Sequence, residues 1–150
     1  MVHEGPRSYS QLFEGGYWSL PTNLDLVASA GVAFATRLKR SHWSGDEAHF
    51  LQVSFEEALI NAMKHGNKNN PEKKVQVEVK VSRERIYIRI RDEGEGFNPE
   101  EVPYPLAPES LLNTSGRGIF MMRNFFDSVK HEDGGRTIIM IKRRKEDVSN

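Results

Sequence analysis

The chain has no cysteine, no net charge and no long apolar run. The absence of cysteine among 150 residues excludes disulfides, thiolate metal sites and thiol catalysis. The 21 lysines and arginines balance 21 aspartates and glutamates. Because sequence-independent nucleic-acid binding calls for an excess of positive charge, we expect no direct nucleic-acid role.

Membrane association is not expected either. The longest largely apolar stretch, Leu26–Ala35, is far shorter than the roughly 20 residues that span a bilayer. The opening residues MVHEGPRSYS contain no apolar core like that of a signal peptide. We therefore expect a cytoplasmic protein.

The length and a hydrophobic content of 37% allow one ordinary domain with a sizeable core. The expected organisation is an N-terminal leader over residues 1–15, with its flexibility left open. A single domain over residues 16–145 and a polar tail over residues 146–150 follow.

Two long helices are predicted in the first half of the chain. Pro21-Thr22-Asn23 offers capping residues for a helix that runs to about Arg40. Ser44-Gly45-Asp46 starts a second helix with apolar residues at helical spacing. It ends near His65-Gly66, where glycine can take the left-handed cap conformation.

Period-two alternation predicts strands over Val75–Val81 and Ile86–Ile90. A short strand at Tyr17–Leu20 and a second hairpin from Ser128–His131 and Thr137–Ile141 complete the set. Since short turns join neighbouring strands and the helices come in blocks, the pattern predicts an α+β two-layer sandwich. Helices would cover one face of a mostly antiparallel sheet.

A proline-rich stretch separates the two hairpins. Four prolines lie between Asn98 and Ser115, which predicts an irregular segment that can close over a ligand. A third helix is predicted from about Gly116 to Phe126.

The first motif, EALINAMKHG, carries three polar residues on the second predicted helix. Glu57 and Asn61 are four residues apart and share one face, and His65 continues the line. Asn61 offers a neutral oxygen to Mg²⁺, which takes other ligands from phosphates and water. Glu57 is suited to orient or deprotonate a hydroxyl or water that attacks a γ-phosphate. A solvated helix edge is the alternative for this spacing alone.

The second motif, DEGEGF, begins at Asp92 after a predicted strand. A carboxylate there can accept a hydrogen bond from the amino group of adenine, and Gly94 and Gly96 let a flat base approach the backbone. A plain turn is the alternative. Pro99 stands where the dinucleotide-binding fingerprint requires a glycine, which argues against that class of site.

The third motif, SGRGIFMMR, begins at Ser115. Gly116 and Gly118 open a helix whose unpaired N–H groups and dipole favour phosphate. Arg117 can add a charged donor. An ordinary glycine turn before a helix is the alternative.

In this order, the three motifs resemble the asparagine box and the two glycine boxes of the GHKL ATPase superfamily. Within it, the chain is most similar to the stand-alone anti-sigma-factor serine/threonine kinases. The resemblance covers about Tyr17 to Arg143 and implies the Bergerat ATP-binding fold, with ATP and Mg²⁺ as cofactors. By the same resemblance Glu57 is the catalytic base, Asn61 the Mg²⁺ ligand and Asp92 the adenine reader. Thr137 matches a family threonine near the adenine. The full set of expected cofactor-binding residues is Asn61, His65, Asp92, Gly94, Gly96, Ser115, Gly116, Arg117, Gly118 and Thr137.

The resemblance also implies the function and the partners. The expected protein phosphorylates a STAS-type anti-anti-sigma protein on serine or threonine, sequesters a sigma factor, and forms a homodimer. Two departures weigh on the kinase activity more than on nucleotide binding: Thr114 replaces an arginine of some relatives, and Arg136 replaces a small or hydroxyl residue. The alternatives are a nucleotide-gated protein-binding module without phosphoryl transfer, a small ATPase, or a scaffold without a nucleotide.

Overall fold

The structure, a computed structural model, describes residues 11–96 and 123–145. Within them, two α-helices, α1 (Leu26–Arg40) and α2 (Gly45–Ile60), precede most of the sheet, and a π-helical segment, Asn61–Gly66, continues α2. The five strands of these residues are β1 (Tyr17–Pro21), β2 (Lys74–Val81), β3 (Arg85–Arg91), β4 (Ser128–Glu132) and β5 (Thr137–Arg143).

The strands form a sheet in the order β1-β2-β3-β5-β4, with every neighbouring pair antiparallel. The register keeps the apolar residues of neighbouring strands on one face: Val77 lies between Trp18 and Ile90, and Ile88 lies opposite Met140. This architecture confirms the predicted α+β sandwich. All five strands fall where alternation or turn signals predict them.

The core lies between that face of the sheet and the two helices. Strand residues such as Val77 and Ile88 belong to the same apolar cluster as Phe34 of α1 and Phe55 of α2. The rings of Phe34 and Phe55 stack with centroids 4.7 Å apart. Each fully buried side chain of this kind contributes about 1.5–3 kcal/mol to stability. The core therefore fixes how α2 lies across the sheet, and α2 carries the first motif.

The start of α1 differs from the prediction. Thr22 does not cap the helix, because its hydroxyl donates to the backbone oxygen of Lys73 at 2.6 Å. The Oδ1 atom of Asn23 accepts the N–H of Asp25 at 3.0 Å, and the helix begins at Leu26. Thr22 instead ties the end of β1 to the loop before β2.

The end of the second helix also differs from the prediction. The last turn is π-helical, and the N–H of Asn67 donates to the oxygen of Ala62 at 2.8 Å. Gly66 does not take the left-handed conformation; positive φ values follow at Lys68 (53°) and Asn69 (58°). Glycine is required at position 66 for a different reason, since a Cβ there would overlap the carboxyl of Asp92.

Several predictions lie outside the described residues. They are residues 1–10 of the leader, the tail, the proline-rich segment, and the glycine turn of Ser115, Gly116, Arg117 and Gly118. In the described part of the leader, Phe13 is buried in the core. Of the third predicted helix, residues 123–125 are helical, and Phe125 stacks on Phe50 of α2 at 4.5 Å. No helix in the described ranges is long and apolar enough to cross a bilayer.

Candidate functional site

The last turn of α2 and the start of the π-helical segment carry two buried oxygen atoms that have no partner in the described part of the chain. Within the described residues, neither Oε2 of Glu57 nor Oδ1 of Asn61 accepts a hydrogen bond. Leaving such a group unsatisfied costs about 1–3 kcal/mol, so native structures rarely contain one without a reason. A carboxylate and an amide oxygen one helical turn apart suit a hard cation and its oxygen ligands. The pair therefore fits a bound Mg²⁺-nucleotide.

The environment of Glu57 suits a base. Burial raises the pKa of Glu57 above its ordinary value, and the neighbouring charge of Glu56 raises it further. A carboxylate whose pKa is raised holds a transferred proton more readily than an ordinary one.

Asn61 stands at the point where α2 passes into the π-helical segment. Such segments are rare and often occur at functional sites. The i to i+4 alignment of an α-helix does not continue through a π turn. His65, which the sequence predicts on the same line as Glu57 and Asn61, is exposed in the structure. Its role in nucleotide binding stays a prediction.

The first and second motifs meet where the π-helical segment ends. A Cβ at Gly66 would overlap the carboxyl of Asp92, and a Cβ at Gly94 would overlap the backbone oxygen of Gly66. Glycine at both positions lets the two backbones touch. The fold therefore places Asp92 directly against the end of the helix that carries Asn61.

Asp92 is 7% exposed and is held by backbone groups on both sides. Its Oδ1 atom accepts the N–H of Gly94 at 2.8 Å, and its own N–H donates to the oxygen of Arg136 at 2.9 Å. Burial raises the pKa of Asp92, while the N–H of Gly94 and the charge of Arg136 oppose that rise. The carboxylate is thus fixed in place, as recognition of a base requires.

Thr137, the first residue of β5, lies beside the end of β3, which Asp92 follows. It pairs with Arg91, the residue before Asp92, and it is fully buried. Its Oγ1 atom has no hydrogen-bond partner among the described residues. This position agrees with the prediction that Thr137 lies near the adenine, although the ligand contact itself stays a prediction.

Asn67 also lies in the site region, although the sequence motifs do not predict it. Its Nδ2 atom donates to the Thr22 hydroxyl at 2.9 Å and to the oxygen of Lys74 at 3.0 Å, and its Oδ1 atom accepts the N–H of Glu93 at 2.7 Å. Asn67 is 1% exposed. It thus joins the π-helical segment, the end of β1, the start of β2 and the loop after Asp92. The surrounding letters, NKNN, read as a solvated loop, so no local signal marks it.

Gly96, the last described residue before the gap, is also closely packed. Its φ is +83°, and a Cβ there would overlap the backbone oxygen of Gly134 in the turn between β4 and β5. The predicted glycine of the second motif is therefore needed for the contact between two loops. Its contact with a base stays a prediction, as do the roles of Ser115, Gly116, Arg117 and Gly118, which lie outside the described residues.

The sequence of this chain is similar to a known domain family and to named protein kinases. The histidine kinase-like ATPase domain family matches residues 20–142. Serine-protein kinase RsbW of Staphylococcus epidermidis is 30% identical over 140 residues, which cover 87% of this chain and 88% of the relative. Serine-protein kinase RsbW of Listeria innocua serovar 6a is 25% identical over 130 residues, covering 82% and 83%. The chain belongs to the histidine kinase-like ATPase family, which confirms the GHKL resemblance of its motifs.

Proposed function

We propose that this protein is an ATP- and Mg²⁺-dependent serine/threonine protein kinase that acts as an anti-sigma regulatory factor. The observation that carries the proposal is a pair of buried oxygens, on Glu57 and Asn61, that have no partner among the described residues. They lie one turn apart on the helix whose π-helical end, at Gly66, packs against Asp92. The relatives named serine-protein kinase support the choice of reaction.

The ground-state roles follow from the donors and acceptors at the site. Asn61 offers Oδ1 to Mg²⁺, and Asp92 accepts a hydrogen bond from the adenine amino group. Gly66 and Gly94 keep side chains away from the Asp92 carboxyl. When bound, Mg²⁺ supplies positive charge that offsets the charge developing on the transferred phosphoryl group.

Glu57 is the base of the transfer step. As the acceptor hydroxyl oxygen forms its bond to the γ-phosphorus, the hydroxyl proton passes to the Glu57 carboxylate and ADP leaves with the bridging oxygen. The raised pKa of Glu57 favours this proton acceptance. The partly buried position of Glu57 limits the access of water that would compete with the acceptor.

The proposed acceptor is a STAS-type anti-anti-sigma protein, and the proposed second partner is a sigma factor. Both follow from the likeness to the anti-sigma kinases, as does a homodimer. A cytoplasmic location follows from the role, because sigma factors act on RNA polymerase in the bacterial cytoplasm.

The kinase is tested with labelled ATP, Mg²⁺ and a purified STAS-domain protein. We expect transfer by the wild type and a loss of about 10²–10⁴-fold in Glu57→Gln, the usual contribution of a positioned base. Glu47→Gln is the matched control, because Glu47 is an exposed glutamate in the first turn of the same helix. It should transfer at the wild-type rate.

Two outcomes would contradict the proposal. If the wild-type protein binds Mg²⁺-ATP but transfers no phosphate, it is a nucleotide-gated binding module and not a kinase. A sigma factor that fails to co-elute with the protein in gel filtration removes the anti-sigma role.

A further inference from the structure

Arg136 binds three backbone oxygens beside the candidate site. Its Nε atom donates to Gly94 at 2.8 Å, Nη2 donates to Glu95 at 3.1 Å, and Nη1 donates to Asp133 at 3.1 Å. The rigid guanidinium fork can satisfy several acceptors at once, which a lysine ammonium cannot do with the same geometry. One side chain thus joins the loop after β3 to the turn between β4 and β5.

These two loops touch through their backbones. Gly96 and Gly134 both have positive φ. A Cβ at Gly96 would overlap the oxygen of Gly134, and one at Gly134 would lie 3.2 Å from Nη1 of Arg136, a tight contact. The guanidinium therefore sits where the loops meet, and its hydrogen bonds hold them together.

The main chain of Arg136 is bound to the same loop. Its backbone oxygen accepts the N–H of Asp92 at 2.9 Å. Asp92 in turn accepts the N–H of Gly94, whose own oxygen is bound by the Arg136 side chain. Removing the guanidinium would release Gly94 and with it one of the hydrogen bonds that orient the Asp92 carboxylate.

We propose that Arg136 is a positioning residue for adenine recognition: its guanidinium holds residues 94–96 against the β4–β5 turn and thereby fixes the carboxylate of Asp92 toward the base. The inference rests on the proposed function, because Asp92 reads adenine only if the chain binds ATP. It assigns a purpose to Arg136, which the family resemblance marks only as a departure from the expected pattern.

The positive charge of Arg136 also supports adenine recognition, because it favours the ionised form of Asp92. Asp92 must be ionised to accept from an amino group at full strength, yet burial raises its pKa. Arg136, Lys73 and Arg91 lower that pKa, and Gly66 packs against the carboxyl without adding charge. Within the described residues, no ion pair joins the Arg136 guanidinium to a carboxylate. Its loss should move the pKa of Asp92 upward, so nucleotide binding would fail at a higher pH during acidification.

Arg144 supplies a matched control at the opposite end of the sheet. Its Nε atom donates to the oxygen of Arg83 at 2.6 Å, and Nη2 donates to those of His42 and Ser41 at 3.0 and 3.2 Å. The chemistry is that of Arg136, but none of the predicted site residues is bound. Loss of either arginine should lower stability, whereas only Arg136 should affect nucleotide selection.

The experiment measures binding of Mg²⁺-ATP and Mg²⁺-ITP by calorimetry from about pH 4, near the ordinary aspartate pKa, to about pH 8. ITP has a carbonyl in place of the amino group that Asp92 reads. Arg136→Gln should weaken Mg²⁺-ATP binding roughly tenfold to hundredfold. It should also reduce the preference for ATP over ITP and move the acid midpoint of binding to higher pH. Arg136→Lys should restore the midpoint but only part of the preference, and Arg144→Gln should leave all three unchanged.

The outcomes separate the two proposals. Wild type that binds no Mg²⁺-ATP overturns the proposed function. Wild type that binds, together with an Arg136→Gln variant that loses stability as Arg144→Gln does but keeps its preference and midpoint, overturns the role of Arg136 alone. If Arg136→Gln does not fold, an unchanged ATP-to-ITP preference in Arg136→Lys overturns it equally.

Discussion

At each end of the sheet an arginine side chain binds backbone oxygens of the loops. The two ends differ in whether buried polar atoms nearby have hydrogen-bond partners. At the end away from the site, Trp43 donates its Nε1 hydrogen to Ser82 at 2.8 Å, and the Arg144 guanidinium lies 4.1 Å from the Trp43 ring centroid. At the site end, Arg136 binds backbone oxygens in the same manner, yet Glu57 and Asn61 each keep a buried oxygen without a partner among the described residues.

Helix α2 connects the two ends. Glu47 in its first turn lies 3.9 Å from Lys142 near the far end of β5, while the π-helical segment that follows α2 ends against Asp92. The same helix is thus anchored by an ion pair at one end and, as far as the described residues show, carries unsatisfied polar groups at the other. Stability and function are separated along its length, and the cost of unsatisfied groups at the site is offset by well-packed regions elsewhere.

The largest effect on ATP binding should come from removing the close backbone contact at the site. Gly94→Ala would place a Cβ on the backbone oxygen of Gly66, which cannot move as a flexible side chain can. We expect a loss of about 1–3 kcal/mol in unfolding free energy and at least a roughly hundredfold loss in Mg²⁺-ATP affinity, since Asp92 would be displaced. Calorimetry and denaturant unfolding measure both.

Gly45→Ala is the control for that comparison. Gly45 has a φ of +68° and its added Cβ would meet nothing within 4 Å. It should cost about 1 kcal/mol through backbone strain and leave ATP affinity unchanged. Equal ATP affinity in the two alanine variants would show that the contact between Gly66 and Gly94 does not shape the site.

The next largest effect on ATP binding should come from the buried hydrogen-bond network at the site, and the more exposed network at the far end is its control. Asn67→Ala removes three hydrogen bonds and strands the N–H of Glu93, so we expect a loss of about 2–4 kcal/mol. Arg144→Ala should cost about 1 kcal/mol, because its partners are more exposed to water. Only Asn67→Ala should also weaken ATP binding. If Asn67→Ala and Arg144→Ala both lowered stability and ATP affinity in proportion, the two ends of the sheet would not differ in function.

Thr137→Val should have smaller effects, and those on stability and on ATP affinity should have opposite signs. The Oγ1 atom is buried without a partner among the described residues, so its removal should leave stability equal or slightly higher. A lost hydrogen bond to a ligand should weaken Mg²⁺-ATP binding by roughly threefold to tenfold. Unchanged affinity in isothermal calorimetry would remove Thr137 from the nucleotide site.

The smallest effect concerns the pH dependence of stability. Because burial raises the pKa of Glu57, the folded state binds its proton more tightly than the unfolded state, so this group lowers stability as pH rises from its ordinary value through the raised one. Glu57→Gln removes that loss and should melt about 1–2 °C higher than wild type at neutral pH, with no gain well below pH 4. A melting-temperature difference that does not change with pH would contradict the raised pKa.

Much of the fold can be predicted from local patterns. The alternation in Val75–Val81 and Ile86–Ile90 predicts two neighbouring strands because side chains of a strand point to opposite faces. Glu57, Asn61 and Asp92 are predicted as site residues because their motifs occur in a characteristic order. The buried oxygens of Glu57 and Asn61, which have no partner within residues 11–96 and 123–145, fit that prediction, although no ligand contact tests it.

Contacts between distant segments cannot be predicted in this way. Asn67 bonds a residue 26 positions away, and Arg136 bonds Gly94 across 42 positions. Nothing in the neighbouring residues marks Asn67, and the family resemblance marks Arg136 only as a departure, without indicating its contacts. The same holds for Gly66, which a local rule assigns to a helix cap but which is glycine because Asp92 packs against it.

The sequence by itself determined the class of fold, the strand positions and the family, because periodicity and motif order are properties of the chain read along its length. Only the tertiary structure decided how the motifs meet. The backbone contact between Gly66 and Gly94, the Asn67 network and the Arg136 clamp arise when the end of α2 and the end of β3 are packed against one core. Their physical basis is the need to satisfy buried polar groups at close range, and which groups are buried together depends on the fold.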